Sequence, residues 1–251
     1  MMAVGPVESR LIESLKSVRS LFFVLLDPDS DSPEGIIESG LRAVKAGADA
    51  LLLGGSFVGN PNFARIAAGL KRETQVPVVL FPGGCSHITP GPDAILFTTL
   101  ISGRNPQYLI DEQVKGAVLV RSLRMEAIAT AYLLIESGRT TAVEYISNTR
   151  PIPADKPAIA AAHAMAAELM GQRWIYLEAG SGALNAVPAP MVKLVRASVG
   201  LHVIVGGGIR TPEQARERSE AGAHAIVVGN LFEADKDEGL VREFVSAVHG
   251  K

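Results

Sequence analysis

The chain of 251 residues carries 24 Lys and Arg against 26 Asp and Glu, a formal charge of −2, with 47% hydrophobic and 20% charged residues. That balance excludes the basic stripe that nucleic-acid binders need for counterion release, and no apolar run is long enough to span a bilayer. The length suits one α/β barrel of roughly 250 residues, and no linker-like stretch interrupts the apolar periodicity, so residues 1–251 are expected to form a single domain.

In chain order, residues 7–19 read first as a short amphipathic helix, with Leu11, Leu15 and Val18 at helical spacing. Short apolar runs then recur at Leu21–Leu26, Ala50–Leu53, Pro77–Phe81 and Ala94–Phe97. Four more stand at Ala131–Ile135, Trp174–Leu177, Leu201–Val205 and Ala225–Val228. Near-continuous apolar strands mean burial on both faces, as in a parallel sheet covered by helices. Ser32-Pro33-Glu34 and Thr211-Pro212-Glu213 each carry a helix start, with a hydroxyl at the N-cap and Pro behind it. Eight strands alternating with helices predict a closed (β/α)8 barrel. One unit departs. Residues 82–93 hold three prolines and three glycines, which predicts an extended crossing where the third helix of the barrel would stand; a short, poorly patterned helix is the alternative.

Cys85 is the only cysteine, so no disulfide framework is possible, and the N-terminus shows no basic stretch leading into an apolar one. The expected location is the cytoplasm, with transient membrane contact left open.

In such barrels chemistry gathers at the C-terminal ends of the strands, and phosphate commonly binds after strands seven and eight. Gly206-Gly207-Gly208 follows strand seven and Gly229-Asn230 follows strand eight, where backbone free of side chains lets N–H groups approach phosphate oxygens. Strand six closes on Tyr176-Leu177-Glu178-Ala179-Gly180-Ser181-Gly182, which sets Glu178 as a base, a substrate ligand or one half of an ion pair. Asp27, Asp29, Asp31 and Glu38 imitate a calcium-loop spacing, but Ser32 occupies the slot that needs Gly. Asp27, nearest the strand end, remains a candidate Mg2+ ligand. Ser56, after strand two, could give its hydroxyl to a metal or diphosphate, or simply open a loop. The histidines 87, 163, 202, 224 and 249 show no zinc spacing.

Taken together the motifs resemble the geranylgeranylglyceryl phosphate synthase family along nearly the whole chain. The likeness rests on LLDPD at 25–29, LLLGGS at 51–56, FPG at 81–83, SGRNPQYLI at 102–110 and VEYISNTRPIPADKP at 143–157, with YLEAGSGA at 176–183, VGGGIR at 205–210 and VVGN at 227–230. The resemblance implies a Mg2+-dependent prenyltransferase that joins geranylgeranyl diphosphate to sn-glycerol 1-phosphate, working as a homo-oligomer, a dimer or a hexamer. It implies metal positions at Asp27 and Ser56. It implies a glycerol phosphate site of Tyr176 to Gly182, Gly207, Gly208, Gly229 and Asn230, with Glu178 and Tyr176 catalytic. It also implies an irregular barrel without its third helix. Leu25 stands where the related heptaprenyl enzymes carry lysine, and Trp174 is the only tryptophan, so no tryptophan near strand four can stop the prenyl tail. Phe97, Leu100, Tyr108 and Ile110 are candidates to line the tail groove. A sugar-phosphate isomerase barrel would need a second acid at the end of strand five, where Glu136 is the only candidate.

Overall fold

The computed structural model describes residues 4–229 and 238–250. Eight parallel strands pair in chain order and close, the last back onto the first. They are β1 Leu21–Leu26, β2 Ala50–Gly55, β3 Val78–Pro82, β4 Ala94–Leu100, β5 Glu126–Leu134, β6 Trp174–Glu178, β7 His202–Gly206 and β8 Ala225–Val228. The described helices are α1 Pro6–Ser14, α2 Pro33–Ala46, α3 Phe63–Glu73, α4 Glu112–Ser122 and α5 Ala142–Ser147, then α6 Pro157–Leu169, α7 Ala189–Ser198, α8 Pro212–Glu220 and α9 Glu238–His249.

Two cores follow from the alternation of each strand. Phe23, Leu52, Leu96, Ile128, Trp174 and Ile204 fill the barrel, while Phe22, Leu51, Leu53, Leu80, Ile175 and Val203 face the helices. Both faces are buried, which is why the strands read as unbroken apolar runs. The helix starts form as their sequence demands. Ser32 accepts from the Gly35 N–H and Thr211 from the Gln214 N–H, each at 3.2 Å.

The N-terminal end of the barrel is shut by α1, which places Leu11 in the inner core. The Glu126 carboxylate accepts the N–H groups of Val7 at 2.7 Å and Glu8 at 2.8 Å, supplying the cap that Gly5 lacks. The fully buried Glu8 in turn accepts from Arg173 Nε at 2.8 Å and Trp174 Nε1 at 2.9 Å.

Two boundaries differ from expectation. The helix expected over 7–19 ends at Ser14, because Lys16 and Ser17 bond back three residues rather than four and tighten the turn. β5 begins at Glu126, well before its apolar run, since the ladder to β4 already pairs Ala94 with Glu126 and continues through small alanines.

Residues 83–93, between β3 and β4, hold one short 3-10 turn, Cys85–His87, between irregular stretches. A π-helical turn, Gln107–Asp111, leads into α4.

Candidate active site

Register carries the catalytic candidates to one point. Glu178 pairs with Leu134 of β5 and Gly206 of β7, and Tyr176 pairs with Tyr132 and Ile204. Even-numbered residues of β6 face the barrel interior, so Tyr176 and Glu178 both point inward at its C-terminal end. Glu178 is only 5% exposed, and one carboxylate oxygen accepts the Gly180 N–H at 2.6 Å. Among the described residues no basic side chain pairs with it, which speaks against the ion-pair reading. Burial raises its pKa above the ordinary carboxylate value, and the nearby Tyr176 hydroxyl and the Gly180 N–H only partly offset that rise.

Tyr176 is fully buried and its hydroxyl has no well-formed partner, although the Glu178 carboxylate lies near enough to perturb it. Burial first and the Glu178 charge second push the Tyr176 and Tyr132 phenols well above their ordinary range. Both hydroxyls therefore stay protonated. Phe81 stacks on Tyr176 at 5.1 Å between ring centroids, and Tyr132 meets Tyr176 at 5.6 Å, forming an aromatic cluster below the carboxylate.

Beside Glu178 the wall is bare backbone. Gly207 has φ +78° and Gly208 φ +69°, the left-handed region that favours glycine. A Cβ at Gly207 would overlap the Glu178 carboxylate, and one at Gly208 would come within 2.8 Å of the Asn185 carbonyl.

These groups line one cavity of about 440 Å3, within the range of small-ligand sites. It has two ends. One is built of Glu178, Gly180, Ser181, Gly182, Gly207, Gly208 and Gly229, with Ser56 and Arg210 on the rim. The other runs between β3, β4 and α4, walled by Cys85, Ile88, Ile95, Phe97 and Gly116. Residues 83–93 carry only the 3-10 turn there, and α4 packs across it as the far wall of the groove.

Several expected residues fall elsewhere. Leu177 and Ala179 do not line the cavity; the same alternation that turns Glu178 inward packs them against the helices. Asp27 is not on the cavity wall either, although Leu25, which shares its parity, is. Asn230 lies outside the described residues. Of the tail candidates, Phe97, Leu100 and Tyr108 line the cavity, whereas Ile110 is 55% exposed and faces out. Glu136 is exposed beyond β5 and absent from the wall, which removes the second acid that an isomerase would require.

Burial raises the Asp27 pKa, the Asp29 N–H bonds its carboxylate at 2.9 Å, and among the described residues no basic side chain offsets the rise. Among the described residues no cluster of three or more His, Cys, Asp or Glu could hold a metal by itself. A half-buried carboxylate with no countercharge among the described residues suits a hard cation that takes its remaining oxygens from substrate phosphates, and Ser56 offers a hydroxyl on the cavity wall.

Sequence reasoning missed Tyr132, Phe81, Gln113, Glu112 and Arg210. Tyr132 was legible in principle, since it shares register with Tyr176. Glu112 was not: its carboxylate reaches back to the Cys85 N–H at 2.6 Å across the irregular segment. The Arg210 guanidinium bonds the carbonyls of Ala183 and Leu184, tying the loop after β6 to the loop after β7.

The chain is 45% identical over 234 residues to the geranylgeranylglyceryl phosphate synthase of Korarchaeum cryptofilum (strain OPF8), covering 93% of this chain and 96% of that protein. It is 42% identical over 248 residues to the protein of the same name in Cenarchaeum symbiosum (strain A), covering 98% and 100%. The crystal structure of (S)-3-O-geranylgeranylglyceryl phosphate synthase from Thermoplasma acidophilum, in complex with its substrate sn-glycerol-1-phosphate, superposes with a TM-score of 0.91 at 31% identity and covers 100% of both chains. With residues 14–248 matching the model of the PcrB family, the chain belongs to that family.

Proposed function

We propose that the protein is a prenyltransferase that joins the prenyl group of geranylgeranyl diphosphate to the primary hydroxyl of sn-glycerol 1-phosphate. The observation that carries this reading is the position of Glu178, a buried carboxylate of raised proton affinity at the junction between a bare glycine cradle and an apolar groove. The cradle takes the glycerol phosphate, its phosphate meeting backbone N–H groups around Gly207, Gly208 and Gly229. The groove takes the tail.

Glu178 accepts the proton of the glycerol hydroxyl as its oxygen attacks C1 of the allylic chain, and diphosphate leaves with the electron pair of the broken C–O bond. Tyr176 keeps its proton and orients the carboxylate or the glycerol. The faces of Phe81, Tyr132 and Tyr176 favour the positive charge that grows on the allyl group. Asp27, with the Ser56 hydroxyl, would hold Mg2+, which when bound neutralises charge on the departing diphosphate. Work in the cytoplasm as a homo-oligomer, a dimer or a hexamer, belongs to the same reading; no described helix is long and apolar enough to cross a membrane.

The test is to incubate the protein with Mg2+, sn-glycerol 1-phosphate and labelled geranylgeranyl diphosphate, and to extract the lipid. The expected product is a labelled phosphate-bearing lipid whose link survives mild alkali, as an ether does. Label found only in unreacted geranylgeranyl diphosphate or in the prenol sinks the reading. Excess chelator should abolish the product, and Asp27→Asn should lower kcat/KM by roughly 10²-fold or more, about 3 kcal/mol.

A further inference from the structure

The turn after β6 holds the Glu178 carboxylate, yet its own sequence does little to fix its shape. Gly180 stands at φ +97° and Gly182 at φ +73°, and glycine backbone of this kind moves easily between conformations. Within the turn the Ala183 N–H bonds the Gly180 carbonyl at 3.2 Å. From the same turn the Gly180 N–H reaches a Glu178 carboxylate oxygen at 2.6 Å.

The grip comes from outside. Arg210, in the loop after β7, donates Nη1 to the Leu184 carbonyl at 2.8 Å and Nη2 to the Ala183 carbonyl beside it. A planar guanidinium offers those two donors in a fixed fork, which an ammonium cannot imitate. The fork is firmly mounted: the Arg210 N–H bonds Gln214 Oε1 at 2.7 Å, in the first turn of α8, and Thr211 accepts the Gln214 N–H. On the opposite side the Asn185 N–H bonds the Ser137 carbonyl at 3.0 Å, so the end of the turn is held from two directions.

We propose that Arg210 is a positioning residue for the general base: its two-pronged hold on Ala183 and Leu184 fixes the turn 179–185 so that the Gly180 N–H stays on Glu178. The titratable groups facing Glu178 are Tyr176 on its own strand and Tyr132 on β5, both protonated, with bare Gly207 on the β7 side. Against burial, the Tyr176 hydroxyl and the Gly180 N–H lower its proton affinity. Slackening the turn removes the second of these, so Glu178 holds its proton to higher pH and the base form is scarcer on the acid side. The role of Glu178 as base rests on the prenyl-transfer reading above; the hold of Arg210 on the turn does not.

The experiment compares the parent with Arg210→Gln and with Arg210→Lys, which keeps the charge and loses the fork. Amide hydrogen exchange needs no turnover, and over residues 180–185 it should run about ten-fold faster in both variants while β6 and α7 stay as in the parent. In prenyl transfer the acid limb of kcat should move up by roughly half a pH unit to one unit, since a carboxylate holding two or three N–H bonds falls by about two. The loss of kcat should therefore shrink as pH rises, and KM for geranylgeranyl diphosphate should stay within about two-fold of the parent. Arg210→Lys matching the parent in both readouts would reduce the role to charge and overturn the proposal. An acid limb that keeps its place in Arg210→Gln overturns it too, as does exchange that rises across β6 and α7 together, which marks loss of fold rather than of position. An inactive parent overturns the prenyl-transfer reading instead, and exchange then decides by itself whether Arg210 holds the turn.

Discussion

The two ends of the cavity are made of different material. The end near β6, β7 and β8 is backbone: glycines in left-handed conformations, bare N–H groups and one buried carboxylate. The end near β3, β4 and α4 is side chain: Ile88, Ile95, Phe97 and the thiol of Cys85. Backbone cannot rearrange without moving the strands that carry it, so the first end is suited to one small charged group in one pose. Apolar side chains change rotamer cheaply, so the second end tolerates variation in a long flexible partner.

The sharpest test of the backbone end is Glu178→Gln, which keeps shape and removes the base. It should lower kcat by roughly 10²–10⁴, about 3–5 kcal/mol, with glycerol phosphate binding largely kept. Single-turnover rates check it, and a variant within a few-fold of the parent would make Glu178 a ligand only. Gly208→Val should instead act on binding. It forces φ +69° on a branched residue and drives Cβ toward the Asn185 carbonyl, so KM for glycerol phosphate should rise roughly 10- to 100-fold. The other end should answer to volume alone. A Cβ at Gly116 would stand 3.0 Å from Ile88, so Gly116→Val should raise KM for the C20 diphosphate about ten-fold and leave that for glycerol phosphate unchanged. If both constants move together, the two ends are not separable.

The smallest effect lies away from both ends. His224, in the turn before β8, accepts the Val203 N–H at 2.9 Å. Burial, with His202 and Arg196 nearby, pulls its pKa down to about 4 from 6.5. The folded protein binds that proton less tightly than the unfolded chain. Its contribution to stability is therefore present above pH 6.5 and is lost as pH falls from 6.5 toward 4. Thermal unfolding between pH 7 and 4.5 should show a shallower loss in His224→Gln than in the parent, with the cavity chemistry untouched.

The same contrast governs what the sequence could disclose. Strands and the glycine cradle are written locally, in apolar runs and in glycines next to them, so β1 to β8 and the placement of Gly207, Gly208 and Glu178 are legible from spacing. Parity was legible too, yet extending the site to every residue of 176–182 overrode it and drew in Leu177 and Ala179. The apolar end is assembled from β3, β4, α4 and the irregular crossing, and no single stretch encodes it. Glu112 meets Cys85, and Gly116 faces Ile88, only because α4 folds back over residues 83–93. β5 hid its start because Glu126 serves the N-terminal helix rather than the strand's own pattern.

That helix has a further consequence. α1 seals the base of the barrel through Glu8, Arg173 and Trp174, and Phe23, Leu52 and Trp174 plug the interior above it. The cavity is therefore shut at the base of the barrel, and reactants and products pass on its C-terminal side. In the proposed reaction, whichever reactant reaches deepest must enter first and leave last, and the diphosphate has to clear the doorway before the joined lipid can withdraw. Kinetics should then show an order of arrival and departure, and accumulated diphosphate should hold the product inside.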